Sequence, residues 1–263
     1  NGCLVGSEMC IRDRDNNVAT GNAALYENTT GNCNTAVGNN ALRLNTDRSN
    51  LVAIGDSALY NNGVGASQAV HATGNTAVGS NALFFNTTGY KNTGVGYKSL
   101  FLNTTGYLNT ASGFESLYNN STGIRNTANG YKTLHSNTTG YNNTAIGVFA
   151  LIYNTTGYNN IAVGNSSLFD NTTGSQNTAT GSTSLNSNTT GIFNTANGYN
   201  SLLSNTTGGY NSGLGGSSNS VGTNYDNSTG LGYDADPTAT NTIHIGNTSV
   251  TSIKGQVGFT TYS

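Results

Sequence analysis

A period of 17 residues runs through almost the whole chain, and it limits the folds that the chain can adopt. One set of glycines, the turn Gly column, closes the motif Asn-Thr-Thr-Gly at Gly89, Gly106, Gly123, Gly140, Gly157, Gly174, Gly191 and Gly208. A second set, the strand Gly column, lies at Gly21, Gly38, Gly55, Gly79, Gly96, Gly113, Gly130, Gly147, Gly164, Gly181, Gly198, Gly215 and Gly232. One repeat cannot bury a core alone, so this pattern predicts about thirteen stacked 17-residue coils.

One step in the strand Gly column is longer than the rest. Gly55 and Gly79 are 24 residues apart, seven more than the period of 17 (24 − 17 = 7). The extra residues fall within Asn62–Thr73, outside the short segment that precedes each strand glycine. We therefore expect a bulging loop there, with the coils before and after it still in register.

Two apolar columns predict which side chains point inward. Leucine recurs once per coil, as at Leu83, Leu100 and Leu117. A small residue recurs two positions before the strand glycine, as at Ala111 and Ala128. The residue before that alanine is usually threonine or another β-branched residue, which favours an extended strand. Strand alternation places threonine and the residue after alanine on the face opposite alanine. The prediction is an all-β, parallel β-solenoid covering residues 15–232.

The Asn-Thr-Thr-Gly motif predicts the turn of each coil. We expect its glycine to supply a positive φ and its asparagine to nucleate the bend. Coils stacked about 4.8 Å apart would align these asparagines into hydrogen-bonded ladders, and thirteen coils would form a rod roughly 60 Å long. One alternative remains open at this point, a single helical turn around each leucine.

Composition argues against several functional classes. Only 8% of the residues are charged, the net charge is −2, and no basic run is present, so nucleic-acid binding has no support. The apolar runs are too short to span a bilayer. No nucleophile, base and acid cluster in the sequence, and we predict neither an enzyme nor a cofactor or metal site.

The first residues are not expected to belong to the native protein. Residues 4–13 match the translation of a transposase adapter used in shotgun sequencing, so segment 1–14 is interpreted as an artefact at the start of a metagenomic fragment. Cys3 and Cys10 lie in this segment, which leaves Cys33. A single cysteine predicts neither a disulfide framework nor a zinc site.

Two families resemble the array. Asn50–Gly55 and Asn160–Gly164 resemble the Val-Ala-Ile-Gly strand of trimeric autotransporter adhesin heads. The whole array and the segment 241–258 resemble phage and bacterial tail-fibre-domain proteins. The resemblance implies a left-handed solenoid, a homotrimer, and an extracellular location on a cell or virion. It also implies that segment 233–263 precedes a C-terminal intramolecular-chaperone autoprotease domain, whose catalytic residues this chain lacks.

Few side chains are candidates for a site. Tyr90, Tyr107, Tyr141 and Tyr158 share one column after the turn glycine, where ring faces could bind a sugar or a partner, or simply shield the coil edges. The histidines, His71, His135 and His244, lie far apart in sequence, and His135 is expected to pack rather than to bind a ligand. The acidic pair Asp234 and Asp236 is interpreted as a loop feature.

The expected function is structural. We predict the shaft or stalk of a tail-fibre-like or adhesin-like surface protein, spacing or presenting a binding tip without catalysis. The alternative is a solenoid that binds carbohydrate along the Tyr column or ice along the Thr column. Ice-binding solenoids carry two ranks of threonine, whereas this strand offers one, and the adjacent threonines of Asn-Thr-Thr point to opposite sides.

Overall fold

The described part of the chain is a single parallel β-solenoid. The computed structural model describes residues 16–219 and 224–252, and within them it contains β-strands and no helix. Fourteen strands form one sheet in sequence order, each paired in parallel with its neighbours. This confirms the predicted fold class, and the alternative of a helical turn around each leucine is wrong. Segment 1–14 and the residues beyond 252 lie outside the described residues.

Each coil contributes one three-residue strand. The strands are β1 Val18–Thr20, β2 Thr35–Val37, β3 Val52–Ile54, β4 Thr76–Val78, β5 Thr93–Val95, β6 Thr110–Ser112, β7 Thr127–Asn129, β8 Thr144–Ile146, β9 Ile161–Val163, β10 Thr178–Thr180, β11 Thr195–Asn197, β12 Ser212–Leu214, β13 Thr229–Leu231 and β14 Ile243–Ile245. Most pairs join residues 17 apart, as in Ala111 with Ala128. The last pair joins Thr229 with Ile243, so the tail motif supplies one further strand from a shorter coil.

The insertion leaves the sheet undisturbed. Strands β3 and β4 pair Val52 with Thr76, which keeps the same face in register across the longer step. The extra residues leave the coil after Asn62 and return at Ala72, whose carbonyl oxygen accepts a 2.9 Å hydrogen bond from Asn62 Nδ2. In regular coils the same bond runs from the turn asparagine to the turn glycine, as from Asn103 Nδ2 to Gly106 O at 3.0 Å. The hydrogen bond at the insertion thus takes the place of the regular turn bond.

Leucine and alanine form the apolar half of the core. The leucines of the eleven regular positions from Leu25 to Leu202 and the strand alanines are almost completely buried and belong to one cluster. The leucines adopt φ near +50°, for example 51° at Leu117. This left-handed conformation costs an L-residue about 1–2 kcal/mol, and burial of a leucine side chain contributes about 1.5–3 kcal/mol in return. Packing therefore decides the backbone conformation here.

Asparagine forms the polar half of the core. The asparagine of each Asn-Thr-Thr turn, the turn Asn column, bonds to its counterpart in the preceding coil, as from Asn120 Nδ2 to Asn103 Oδ1 at 2.8 Å. The asparagine before each strand, the leading Asn column, uses its Oδ1 to accept the backbone N–H of the next, as from Asn126 N to Asn109 Oδ1 at 2.9 Å. Both columns are buried. Since each buried amide has partners, the cost of burying it is met by hydrogen bonds, and the predicted ladders are confirmed.

The two glycine columns have different roles from those expected. The predicted positive φ at the turn glycine is wrong, because Gly106 is not in that region. A Cβ there would lie 2.4 Å from Asn103 Oδ1 and 2.5 Å from Gly123 O, so glycine is required by the close approach of coils. Positive φ occurs in the strand Gly column, for example 134° at Gly113. There the chain turns sharply out of the strand.

Candidate functional site

The predicted Tyr column is present on the surface, but as two separate pairs. Tyr90 and Tyr107 stack with ring centroids 4.7 Å apart and planes inclined by 5°. Tyr141 and Tyr158 stack at 4.9 Å and 3°. The coil between the pairs carries Ile124 in the same column. The structure therefore brings the four predicted residues together two by two rather than as one continuous platform.

Stacking within each pair limits what a ligand can touch. Near-parallel rings under 5 Å apart leave no room for a sugar between them, so the facing surfaces of Tyr90 and Tyr107 are covered. The ring edges and hydroxyl groups remain at the surface, with Tyr141 among the exposed side chains. This geometry favours a role in shielding the backbone between coils over recognition by open ring faces.

A longer aromatic ladder follows the buried leucines. Five rings, those of Tyr60, Phe84, Phe101, Tyr118 and His135, stack in succession with centroids 5.1 to 5.5 Å apart. All five follow the buried leucine of their coils directly. The 17-residue period already places Phe84, Phe101 and His135 in one column, and the 24-residue step at the insertion brings Tyr60 into it.

A second ladder runs beside the strands. Tyr97, Phe114 and Tyr131 each follow the strand glycine, and their centroids are 5.2 and 5.3 Å apart. Aromatic pairs of this geometry contribute about 0.5–1.5 kcal/mol beyond the burial of their surface. The side chains bridge consecutive coils, so their shared role is to fasten one coil to the next.

His135 is the titratable end of the longer ladder. Its ring stacks on Tyr118, and its Nε2 lies 3.6 Å from Glu115 Oε2, which also contacts Lys132 Nζ at 3.3 Å. Burial lowers the pKa of His135 below its ordinary value, Glu115 partly opposes this shift, and Lys132 adds to it. The surroundings fit a packed neutral ring.

The rod is expected to lose stability when His135 is protonated. Because the folded pKa is lowered, the unfolded chain binds more protons, and stability falls as the pH drops below about 6.5, the ordinary pKa of histidine. The variant His135→Phe keeps a stacking ring without a titrating group. Thermal unfolding between neutral pH and about pH 5 should show a weaker pH dependence in the variant. Equal pH dependence in both proteins would contradict this assignment, since every other titratable group is common to both.

The acidic pair lies in a shallow depression at the end of the rod. Its volume is about 390 Å³, and its lining includes Asp234, Asp236, His244 and Asn247. His244 Nδ1 makes a short contact with the backbone oxygen of Asp236. In the part of the chain that the structure describes, no group of three or more histidine, cysteine or acidic side chains is arranged to hold a metal ion. Cys33 is exposed and unpaired there.

Comparison with known proteins adds no relative. No model of a known protein family matches the chain, and no curated protein matches it. Among residues 16–219 and 224–252, no helix has the length and apolar character needed to cross a membrane.

Proposed function

We propose that the chain is a structural shaft that spaces or presents a binding tip and has no catalytic role. The observation that carries the proposal is the one-dimensional order of the sheet, in which every strand pairs only with the preceding and following coil. In such a repeat each added coil lengthens the molecule by about 4.8 Å, and its stability comes from its neighbours. Length is therefore the property that the sequence period controls directly.

The setting of the shaft is part of the same proposal. The array and the segment around Ile243–Ile245 resemble tail-fibre-domain proteins, and the structure adds this segment to the sheet as β14. On this basis we propose a tail-fibre-like or adhesin-like protein, left-handed and homotrimeric, located outside the cell on a cell surface or virion. A glycan or receptor of another cell would bind at the tip.

Direct binding along the rod is the alternative proposal. For a sugar, the Tyr column offers two short pairs whose facing surfaces are covered. For ice, the outward residues of a strand would both need to be threonine, which occurs in β10 at Thr178 and Thr180 but not in β8, where Ile146 follows Thr144. Both observations favour the shaft.

Deletion of whole coils tests the shaft. Removing residues 92–159 takes out four periods and joins Lys91 to Asn160, which restores the same junction. Solution X-ray scattering should show a folded rod shortened by about 20 Å, the height of four coils. A control deletion of half a coil, residues 109–117, should disrupt folding because it breaks the register.

The same deletion discriminates against the alternative. It removes Tyr107, Tyr141 and Tyr158, leaving Tyr90 as the last member of the column. Glycan binding by the full chain that disappears in the shortened rod would favour the carbohydrate-binding function. A shortened rod whose length does not follow the number of coils would overturn the shaft.

A further inference from the structure

The outward side of the sheet is uncharged along its entire length. We call the first and third residues of strands β1–β14 the strand face, because the middle residue of every strand up to β13 is buried. The face comprises two positions on each of 14 strands, and not one of them is Asp, Glu, Lys or Arg. The charged side chains of the described residues lie in the turns and edges of the coils, as Lys98, Glu115 and Arg125 do.

Much of this face is apolar and open to solvent. The row of third strand residues includes exposed aliphatic side chains at Val37, Ile54, Val95, Ile146, Leu214 and Leu231. Directly beside it runs the row that follows the strand glycine, with exposed rings at Tyr97, Phe114, Tyr131, Tyr199 and Tyr233. Four polar residues interrupt the aliphatic row, so the exposed apolar surface forms several patches; these residues are Ser112, Asn129, Thr180 and Asn197. Exposed apolar patches mark a protein interaction site more often than single exposed apolar residues do.

The strand face and the row beside it are together large enough for a stable interface. Fourteen strands about 4.8 Å apart extend roughly 62 Å, and the strand face together with the adjacent row that follows the strand glycine is roughly 13 Å wide, which gives about 800 Å². A stable interface buries about 800 Å² on each partner. Coverage of the strand face and this adjacent row therefore meets the requirement.

Periodicity identifies the partner. The side chains of the face recur once per strand spacing along the rod, so a surface of different pitch matches them over a few coils only. A second copy has the same pitch over its whole length, and two strand faces meet without electrostatic repulsion, Asp56 being the one charged residue in the described part of the row beside them. We propose that copies of this chain pack against one another through the strand face. This inference rests on the proposed shaft, because it assigns the surface through which shafts associate.

The irregular parts of the chain leave this face free. The insertion departs from the turn region, where Arg48 Nη2 donates to Ala66 O at 2.8 Å and Nη1 donates to Gln68 O at 3.1 Å. The strands before and after it remain paired in register through Val52 and Thr76. The shorter last coil likewise keeps Ile243 and Ile245 in line with the rows of the face.

Lysine substitutions on two sides of the rod test the proposal. Val95→Lys with Ile146→Lys places charges on the strand face, where these residues are 39% and 43% exposed. Leu108→Lys with Ile192→Lys is the matched control on another side, at 42% and 38% exposure. Light scattering of the full chain should show an assembly that the control retains. The strand-face variant should dissociate, with a dissociation constant raised more than about 100-fold, because lysines would be buried against apolar rows.

Circular dichroism establishes that each variant is folded. If the lysine variant does not fold, Val95→Thr with Ile146→Thr keeps β-branched residues on the face and should raise the dissociation constant at least about tenfold. An unsubstituted chain that is monomeric, or a strand-face variant that assembles as tightly as the control, overturns the proposal. A full-length monomeric rod in scattering would leave the shaft intact, whereas a chain without rod dimensions would overturn the shaft itself.

Discussion

Replacing Gly113 with alanine is expected to break the rod between two adjacent coils. The new Cβ would lie 2.3 Å from Gly130 O and 2.7 Å from its carbonyl carbon, and the backbone φ of 134° disfavours any L-side chain. Both obstacles are backbone atoms of the next coil, so relief requires separating the strands. We expect a loss of about 3–5 kcal/mol in the free energy of unfolding, from strain and forced displacement together.

Gly65→Ala is the control for this substitution. Gly65 also has a positive φ, 75°, but a Cβ there meets nothing within 4 Å. Its expected cost is about 1–2 kcal/mol, from the left-handed conformation alone. Denaturant unfolding followed by circular dichroism compares the two variants, and hydrogen exchange should locate the loss in the coils next to Gly113. Similar destabilisation by both substitutions would contradict the proposed contact between coils.

Removing one amide from the turn Asn column is expected to have the next largest effect. Asn120 is fully buried, it donates to Asn103 Oδ1 at 2.8 Å, and it accepts from Asn137 Nδ2 at the same distance. In Asn120→Ala both neighbours lose a partner in a site without water access, and a small cavity remains. We expect a loss of about 2–4 kcal/mol in the free energy of unfolding.

The adjacent residue offers a matched comparison. Asn119 is partly exposed, so Asn119→Ala removes the same chemical group from the surface of the same coil and should change stability by less than about 0.5 kcal/mol. Thermal or denaturant unfolding of the two variants measures the difference. Equal stability of the two variants would mean that the buried amide of Asn120 contributes no more to the free energy of unfolding than the partly exposed amide of Asn119.

Much of the fold could be predicted because each inward position repeats. Leu117 and Ala111 belong to columns that stay apolar or small while their neighbours vary, and this constancy identified the core. The turn asparagines were placed in ladders because identical side chains one coil apart must meet. Register followed from the period, including the longer step between β3 and β4.

Backbone conformation could not be predicted in the same way. In a single coil, Glu115, Leu117 and Arg125 all have φ between 51° and 55°, although none of these residue types favours it. The usual preference of these residues for negative φ is overridden because the chain bends around the core and leucine packs inside it. The turn glycine was misinterpreted for the same reason, since its role depends on the next coil at Gly123 O. The split of the Tyr column was visible in the sequence at Ile124.

The amide ladder gives the rod a direction. Ten successive side-chain bonds run from Asn205 back to Asn28, passing through Asn62 at the insertion, and in every one the later coil donates to the earlier. Hydrogen bonds aligned head to tail polarise one another, so their dipoles add along the axis. The two ends of the rod are therefore chemically unequal. A neighbour on the side of Asn205 is positioned to donate to the ladder, as Asn211 Nδ2 does to Asn205 Oδ1, whereas a neighbour on the side of Asn28 is positioned to accept from it.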